Sequence, residues 1–194
     1  MQRTLVARFL TLLLATLLLT TFAVRGQADS SALVDDVVIT QNADGWWLDA
    51  DIEFALNPQL REAAERGLTL YFTADLTINQ SRWWWFDRSL VNLERSWSIS
   101  YNALIRQWGV SGGGLTLPVA SLDEALALVR HIRGWHIAPA GTFEPGETYQ
   151  GQLRLRLDIS QLSRPLQVNA LNSSAWAVST PWKRFAFTVD PEEP

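Results

Sequence analysis

The chain has 194 residues, with 16 lysine and arginine residues against 20 aspartate and glutamate residues, so its net charge at pH 7 is -4. This balance disfavours nucleic acid and anionic lipid head groups as partners, since both are bound by clusters of basic residues. The chain has no cysteine, so an apolar core rather than a disulfide framework must hold the fold, and a domain of this size can supply one.

Residues 1–28 have the pattern of a secretory signal. Two arginines precede an apolar stretch at residues 9–24, and small residues follow that suit cleavage after Ala28. If it stays uncleaved, the same segment would act as an N-terminal membrane anchor, with membrane contact only through residues 4–24. We therefore expect a periplasmic protein that is either released or anchored to the inner membrane. Cleavage would leave 13 basic and 20 acidic residues, a net charge of -7.

Residues 29–194 are predicted to form a single β-sandwich domain with short disordered ends. Most segments alternate apolar and polar residues with a period of two, which is typical of half-buried antiparallel strands. The predicted strands, in chain order, cover residues 33–40, 47–54, 68–78, 83–91, 95–103, 105–110, 115–119, 153–159 and 184–189.

Two short helices are predicted between these strands. The first begins at Asn57-Pro58, an N-cap followed by proline at the first helical position, and ends at Gly67. The second begins with a capping box at residues 121–124, has an apolar stripe that extends to Ile132, and ends at Gly134. The pattern as a whole predicts a mainly β fold, an antiparallel β-sandwich of immunoglobulin-like architecture with two short helices.

Tryptophan is the most unusual feature of the composition. The chain has ten tryptophans, and three are consecutive. On a strand, consecutive side chains point to opposite faces, so part of this cluster is exposed unless both faces are covered. Exposed tryptophans suit protein contacts and sugar stacking. The candidate aromatic binding surface therefore consists of Arg82, Trp83, Trp84, Trp85, Phe86 and Arg88. Most of the other seven tryptophans are expected to fill the core.

No residue pattern indicates a catalytic, metal or cofactor site. The two histidines, His131 and His136, are placed at a helix end and in the following loop, where their spacing does not suit a metal-binding pair. Ser111 precedes three glycines but lacks the context of a nucleophile elbow. We expect no cofactor and no catalytic residue.

One row of acids leaves alternatives open. Asp49, Asp51 and Glu53 share a strand face, where paired carboxylates could serve a hydrolase or, less readily, bind calcium. Such a row is more often a solvated surface. We predict instead that Arg154 and Arg156 lie opposite these acids on a neighbouring strand and pair with them.

Several short strings resemble a known family when they are taken as a set. They are LYF (70–72), WWWFD (83–87), SYNAL (100–104), PGETY (145–149), RLRLD (154–158), RPLQVNAL (164–171) and WKRF (182–185). Over residues 33–189 the chain resembles a proteobacterial family of exported proteins described only as a domain of unknown function, number four-three-nine-zero in that series. The resemblance implies a Gram-negative envelope protein with a signal or anchor, and genes that often neighbour a nitrogen-regulation-type sensor kinase. It implies no active site.

These observations favour a non-enzymatic protein-interaction module whose partner is an unidentified envelope or inner-membrane protein, with a link to a membrane sensor kinase as one form of this hypothesis. The first alternative is a binding module for peptidoglycan or another envelope glycan that uses tryptophan platforms. The second alternative is a hydrolase that uses the paired carboxylates. Nucleic acid is not expected as a partner.

Overall fold

The structure is a computed structural model that describes residues 32–80 and 88–191. These residues contain nine β-strands and three α-helices. The strands are β1 (Leu33–Asn42), β2 (Gly45–Glu53), β3 (Leu70–Gln80), β4 (Arg88–Asn102), β5 (Gln107–Gly112), β6 (Leu115–Val119), β7 (His131–Ala138), β8 (Thr148–Leu157) and β9 (Lys183–Thr188). The helices are α1 (Pro58–Glu65), α2 (Leu122–Arg130) and α3 (Arg164–Leu171). Within these residues, no helix has the length and hydropathy that crossing a bilayer requires.

The strands form two antiparallel sheets. The small sheet has three strands in the order β1-β2-β7, and the large sheet has six in the order β6-β5-β4-β3-β8-β9. The apolar faces of the two sheets meet in a single core. The prediction of a mainly β, antiparallel sandwich is therefore confirmed.

Alternation along the central strands builds this core. Leu48 and Ile52 of β2, Phe72 and Leu76 of β3, and Leu153 of β8 are almost completely buried. Because successive side chains point to opposite faces, the residues between them form the outer faces of the two sheets. On the large sheet this outer face is also partly covered, since Thr73 and Asp75 are buried.

The two predicted helices are present, and their caps follow the sequence signals. At α1, Asn57 Oδ1 accepts a hydrogen bond from the Leu60 amide at 2.9 Å, and proline occupies the first turn. At α2, Ser121 Oγ accepts a hydrogen bond from the Glu124 amide at 3.1 Å. Each helix buries its apolar stripe against the sheets.

A third helix, α3, adds to the two that were predicted. It begins after Ser163 with proline in its first turn, which is the same N-terminal pattern that marks α1. In the sequence the same stretch, residues 164–171, is one of the strings that carry the family resemblance.

The end of α2 corrects the sequence prediction. The helix stops at Arg130, and β7 follows without a loop. Ile132 is buried as a strand residue, and Gly134 (φ +56°) lies at a bulge in the β2–β7 pairing instead of ending a helix. The physical reason is that β2 offers a partner strand, and the bulge lets the Gly134 amide donate to Asp49 Oδ1 at 2.7 Å.

Candidate binding cleft

Five of the six residues of the predicted aromatic surface lie outside the described residues: Arg82, Trp83, Trp84, Trp85 and Phe86. The sixth, Arg88, is the first residue of β4; it is exposed and pairs across the strands with Gln80. The predicted surface therefore stays a prediction.

The other seven tryptophans can be placed. Four of them, Trp46, Trp97, Trp108 and Trp135, are buried. Two are half-buried, and only Trp182 among these seven is exposed. The prediction that most of them fill the core is confirmed. The guanidinium of Arg154 lies 4.4 Å from the centroid of the Trp182 ring, so one face of that ring is occupied.

A cleft of about 470 Å³ opens beside the first residues of β7, and we call it the edge cleft. Its floor is the inner face of the large sheet, where that sheet extends beyond the small one. α2 and β7 form the opposite wall. The apolar lining consists of Trp97, Val110, Leu115, Leu117, Leu128 and Ile132, and the polar lining includes Arg95, His131 and Arg133.

The edge cleft exists because the two layers of the sandwich differ in width. Three strands face six, and the nine-residue helix α2, about 13 Å long, covers only part of the remaining strands. The apolar face of β6 is therefore left uncovered near its start. Leu115 is 78% exposed, Leu117 is 53% exposed, and Leu128 on the facing helix is 38% exposed. Three large apolar side chains are therefore exposed to solvent within one cleft.

Arg95 of β4 provides an unusual positive charge in this apolar setting. Its guanidinium carbon lies 5.2 Å from the centroid of the Trp97 ring, and Nη1 donates to the backbone oxygen of Arg133 at 3.3 Å. Burial lowers the pKa of the Arg95 guanidinium below its ordinary value. Among the described residues, no carboxylate oxygen lies within 4.0 Å of it.

The second cationic group at the rim, Arg133, already has a partner. Its Nη2 lies 2.6 Å from Asp51 Oδ1, and its Nη1 donates to the backbone oxygen of Ala50 at 2.9 Å. Asp51 Oδ1 also lies 2.7 Å from His131 Nδ1. These hydrogen bonds, first that of His131 and then that of Arg133, lower the pKa of the Asp51 carboxyl. Arg133 and His131 are thus held by the small sheet, whereas Arg95 has no acidic partner among the described residues.

Asp49 and Asp51 of the acidic row therefore bind groups of β7. None of the three acids binds Arg154 or Arg156, and the predicted pairing is wrong. The two arginines belong to the large sheet, where both bind Asp75 of β3, at 2.7 Å from Arg154 Nε and 3.1 Å from Arg156 Nε. The reason is topological: β8 lies beside β3, whereas β2 lies beside β7. Alternation had fixed which face these residues occupy but not which strand lies next to them.

The described lining of the edge cleft combines apolar side chains with those of arginine and histidine. No carboxylate lines it within the described part of the chain. In residues 32–80 and 88–191, no group of three or more histidine and acidic side chains could hold a metal ion. An apolar floor beside a cation that has no acidic partner in the described part of the chain is suited to an apolar segment that carries a negative charge.

Sequence reasoning missed this cleft, although one signal for it was present. Leu128 lies outside the apolar stripe of α2, formed by Leu122, Ala125, Leu126 and Val129. Leu115 and Leu117 lie on a short edge strand. Large apolar residues that no element is placed to cover are candidates for a contact surface.

Comparisons with known proteins give a family and no described function. The family model described as a domain of unknown function, DUF4390, matches residues 29–186 of the chain. Neither the curated proteins nor the solved structures gave a match. The chain belongs to the DUF4390 family.

Proposed function

We propose that this protein is a non-enzymatic protein-interaction module of the bacterial cell envelope, and that the edge cleft is its binding site for an apolar segment of another protein. One observation carries the proposal: Leu115, Leu117 and Leu128 are exposed together in one cleft. Exposed apolar side chains that are grouped and rimmed by polar residues mark interaction sites in soluble proteins. The proposed location rests on residues 1–28, which have the pattern of a secretory signal.

The chemistry of the cleft favours binding over the two alternatives. A hydrolase with paired carboxylates needs two acids across a cleft, and the described lining of this one contains none. A glycan platform needs an open aromatic face. Within the described residues the one exposed tryptophan, Trp182, has Arg154 stacked on it. The glycan alternative therefore depends on the other face of Trp182 and on the tryptophans at residues 83–85.

Photo-cross-linking in cells tests the proposal on the full chain. A benzoylphenylalanine residue replaces Leu117, in the floor of the edge cleft, and cells are irradiated before purification under denaturing conditions. The matched control replaces Val168, which is 59% exposed on α3. A third position, 84, tests the predicted aromatic surface in the same way.

We expect one dominant protein adduct from position 117 and none from position 168, with the adduct in the envelope fraction. Its identity would show whether the partner is a membrane sensor kinase, as one form of the hypothesis holds. An adduct whose mass is that of a peptidoglycan fragment would instead support the glycan alternative. Equal labelling from positions 117 and 168 would contradict the role of the cleft.

A further inference from the structure

We propose that the occupant of the edge cleft is a short extended peptide segment that carries an acidic group, and that Arg95 binds this group. This inference rests on the proposed function and adds the chemistry of the partner. It predicts a specific pattern in the bound segment: apolar residues against Leu115 and Leu117, and an aspartate, a glutamate or a terminal carboxylate at Arg95.

The charge of Arg95 supplies the first argument. Its guanidinium stacks on Trp97, makes one long hydrogen bond to a backbone oxygen, and has no described acid within reach. By contrast Arg133, at the same rim, has Asp51 at 2.6 Å. A partly buried cation without a counter-charge costs free energy, and a carboxylate from a ligand would remove that cost. Charge-assisted hydrogen bonds of arginine to carboxylate are among the strongest in proteins.

The free edge of β7 supplies the second argument, and it favours a peptide over an amphiphilic small molecule. β7 pairs with β2 on one side only, so the other side of its backbone has no strand partner among the described residues. His131, Ile132 and Arg133, the first residues of β7, line the edge cleft. The His131 amide already donates to the backbone oxygen of Ala127, and the Arg133 oxygen already accepts from Arg95. An extended segment placed there can use the remaining backbone groups of residues 131–133 as well as side-chain pockets, as in β-strand addition. A fatty acid or a lipid can use only the apolar floor and the arginine.

The geometry limits the length of the segment. The bulge at Gly134 interrupts regular pairing along β7, so strand addition is confined to residues 131–133. The bound segment is therefore short.

The test uses the full chain with benzoylphenylalanine at position 117, in cells, in the background of Arg95→Gln. The matched control is Arg184→Gln, which removes an exposed arginine from β9 at the far edge of the same sheet. Thermal unfolding of the purified variants establishes that both remain folded. The cross-linked partner peptide is sequenced by mass spectrometry.

We expect Arg95→Gln to reduce the protein adduct about tenfold or more, the effect of losing one charge-assisted hydrogen bond, while Arg184→Gln leaves it unchanged. The sequenced peptide should contain apolar residues together with an acidic residue or a terminal carboxylate. A partner adduct of undiminished yield in Arg95→Gln would overturn this inference and leave the proposed function intact. An adduct to a fatty acid or phospholipid would also overturn it. Absence of any adduct in the parent chain would count against the proposed function itself and therefore against both.

Discussion

The contact between Asp75 and two arginines on the outer face of the large sheet predicts a large loss of stability on substitution. Asp75 is 7% exposed and accepts hydrogen bonds from Arg154 at 2.7 Å and from Arg156 at 3.1 Å. Replacing Asp75 with asparagine keeps the volume and removes the charge that both guanidinium groups face. Breaking a fully buried ion pair costs about 3–5 kcal/mol.

The expected loss in the free energy of unfolding is smaller than this, because both arginines keep some contact with water. Their side chains are 35% and 27% exposed, so part of their charge stays solvated after the substitution. We therefore expect Asp75→Asn to lower the free energy of unfolding by about 2–3 kcal/mol. For a domain of this size that corresponds to a fall in Tm of about 4–12 °C.

Urea unfolding at pH 7, followed by tryptophan fluorescence, measures the loss. The matched control is Asp123→Asn, which breaks an ion pair with Arg61 of equal length, 2.7 Å, but with 68% of the aspartate side chain exposed. Exposed pairs add little to stability, because water and salt screen them. If the two substitutions cost the same, burial does not strengthen the Asp75 contacts and the reasoning is wrong. A cycle that combines Asp75→Asn with Arg154→Gln should show coupling between the two sites.

Three further predictions concern the core, a turn and acid stability. Leu126→Ala should lower the free energy of unfolding by about 2–5 kcal/mol. Its control, Leu128→Ala, lies two residues along α2 but is 38% exposed, and should lower it by less than about 1 kcal/mol. Chemical unfolding of both variants measures the two losses. Gly45→Ala should cost about 3 kcal/mol or more, because a Cβ there would lie 2.4 Å from a carbonyl oxygen of β7. At Gly113 (φ +58°) a Cβ meets nothing within 4 Å, so Gly113→Ala should cost only the backbone strain, about 1 kcal/mol, in the same assay. Hydrogen bonds from a histidine and an arginine of β7 lower the pKa of Asp51 below 3.8, so the stability they add is full above that pH and is lost as pH falls through the lower folded-state pKa. Asp51→Asn should therefore reduce the loss of Tm in a series between about pH 5 and pH 2. An unchanged dependence of Tm on pH would contradict the assignment.

Local signals in the sequence were sufficient to predict the secondary structure at most places. The alternation around Leu48 and Leu153 gave the buried faces of β2 and β8, and the caps at Asn57 and Ser121 gave the starts of α1 and α2. These patterns work because period and capping depend on a few consecutive residues.

Contacts between distant strands could not be read from the same signals. Asp75 and Asp51 both lie on the polar face of an alternating strand. The residues next to them in the sequence do not show that Asp75 binds Arg154 and that Asp51 binds Arg133. Gly134 was equally ambiguous, because a glycine after a helical stretch can end a helix or begin a bulge. The edge cleft exists because the two sheets differ in their number of strands. No single segment of the sequence shows this difference.

The order of the strands in the two sheets has a consequence for the way the chain is made. At the centre of each sheet an early strand pairs with a late one: β2 with β7, and β3 with β8. As the chain emerges, the hairpins of the first half can form, but β2 and β3 each keep one unpaired edge until β7 and β8 have followed. Pairing over such separations is slow, and unpaired strand edges make a chain prone to aggregation. The newborn chain should therefore depend on a holding chaperone for longer than its size alone would suggest.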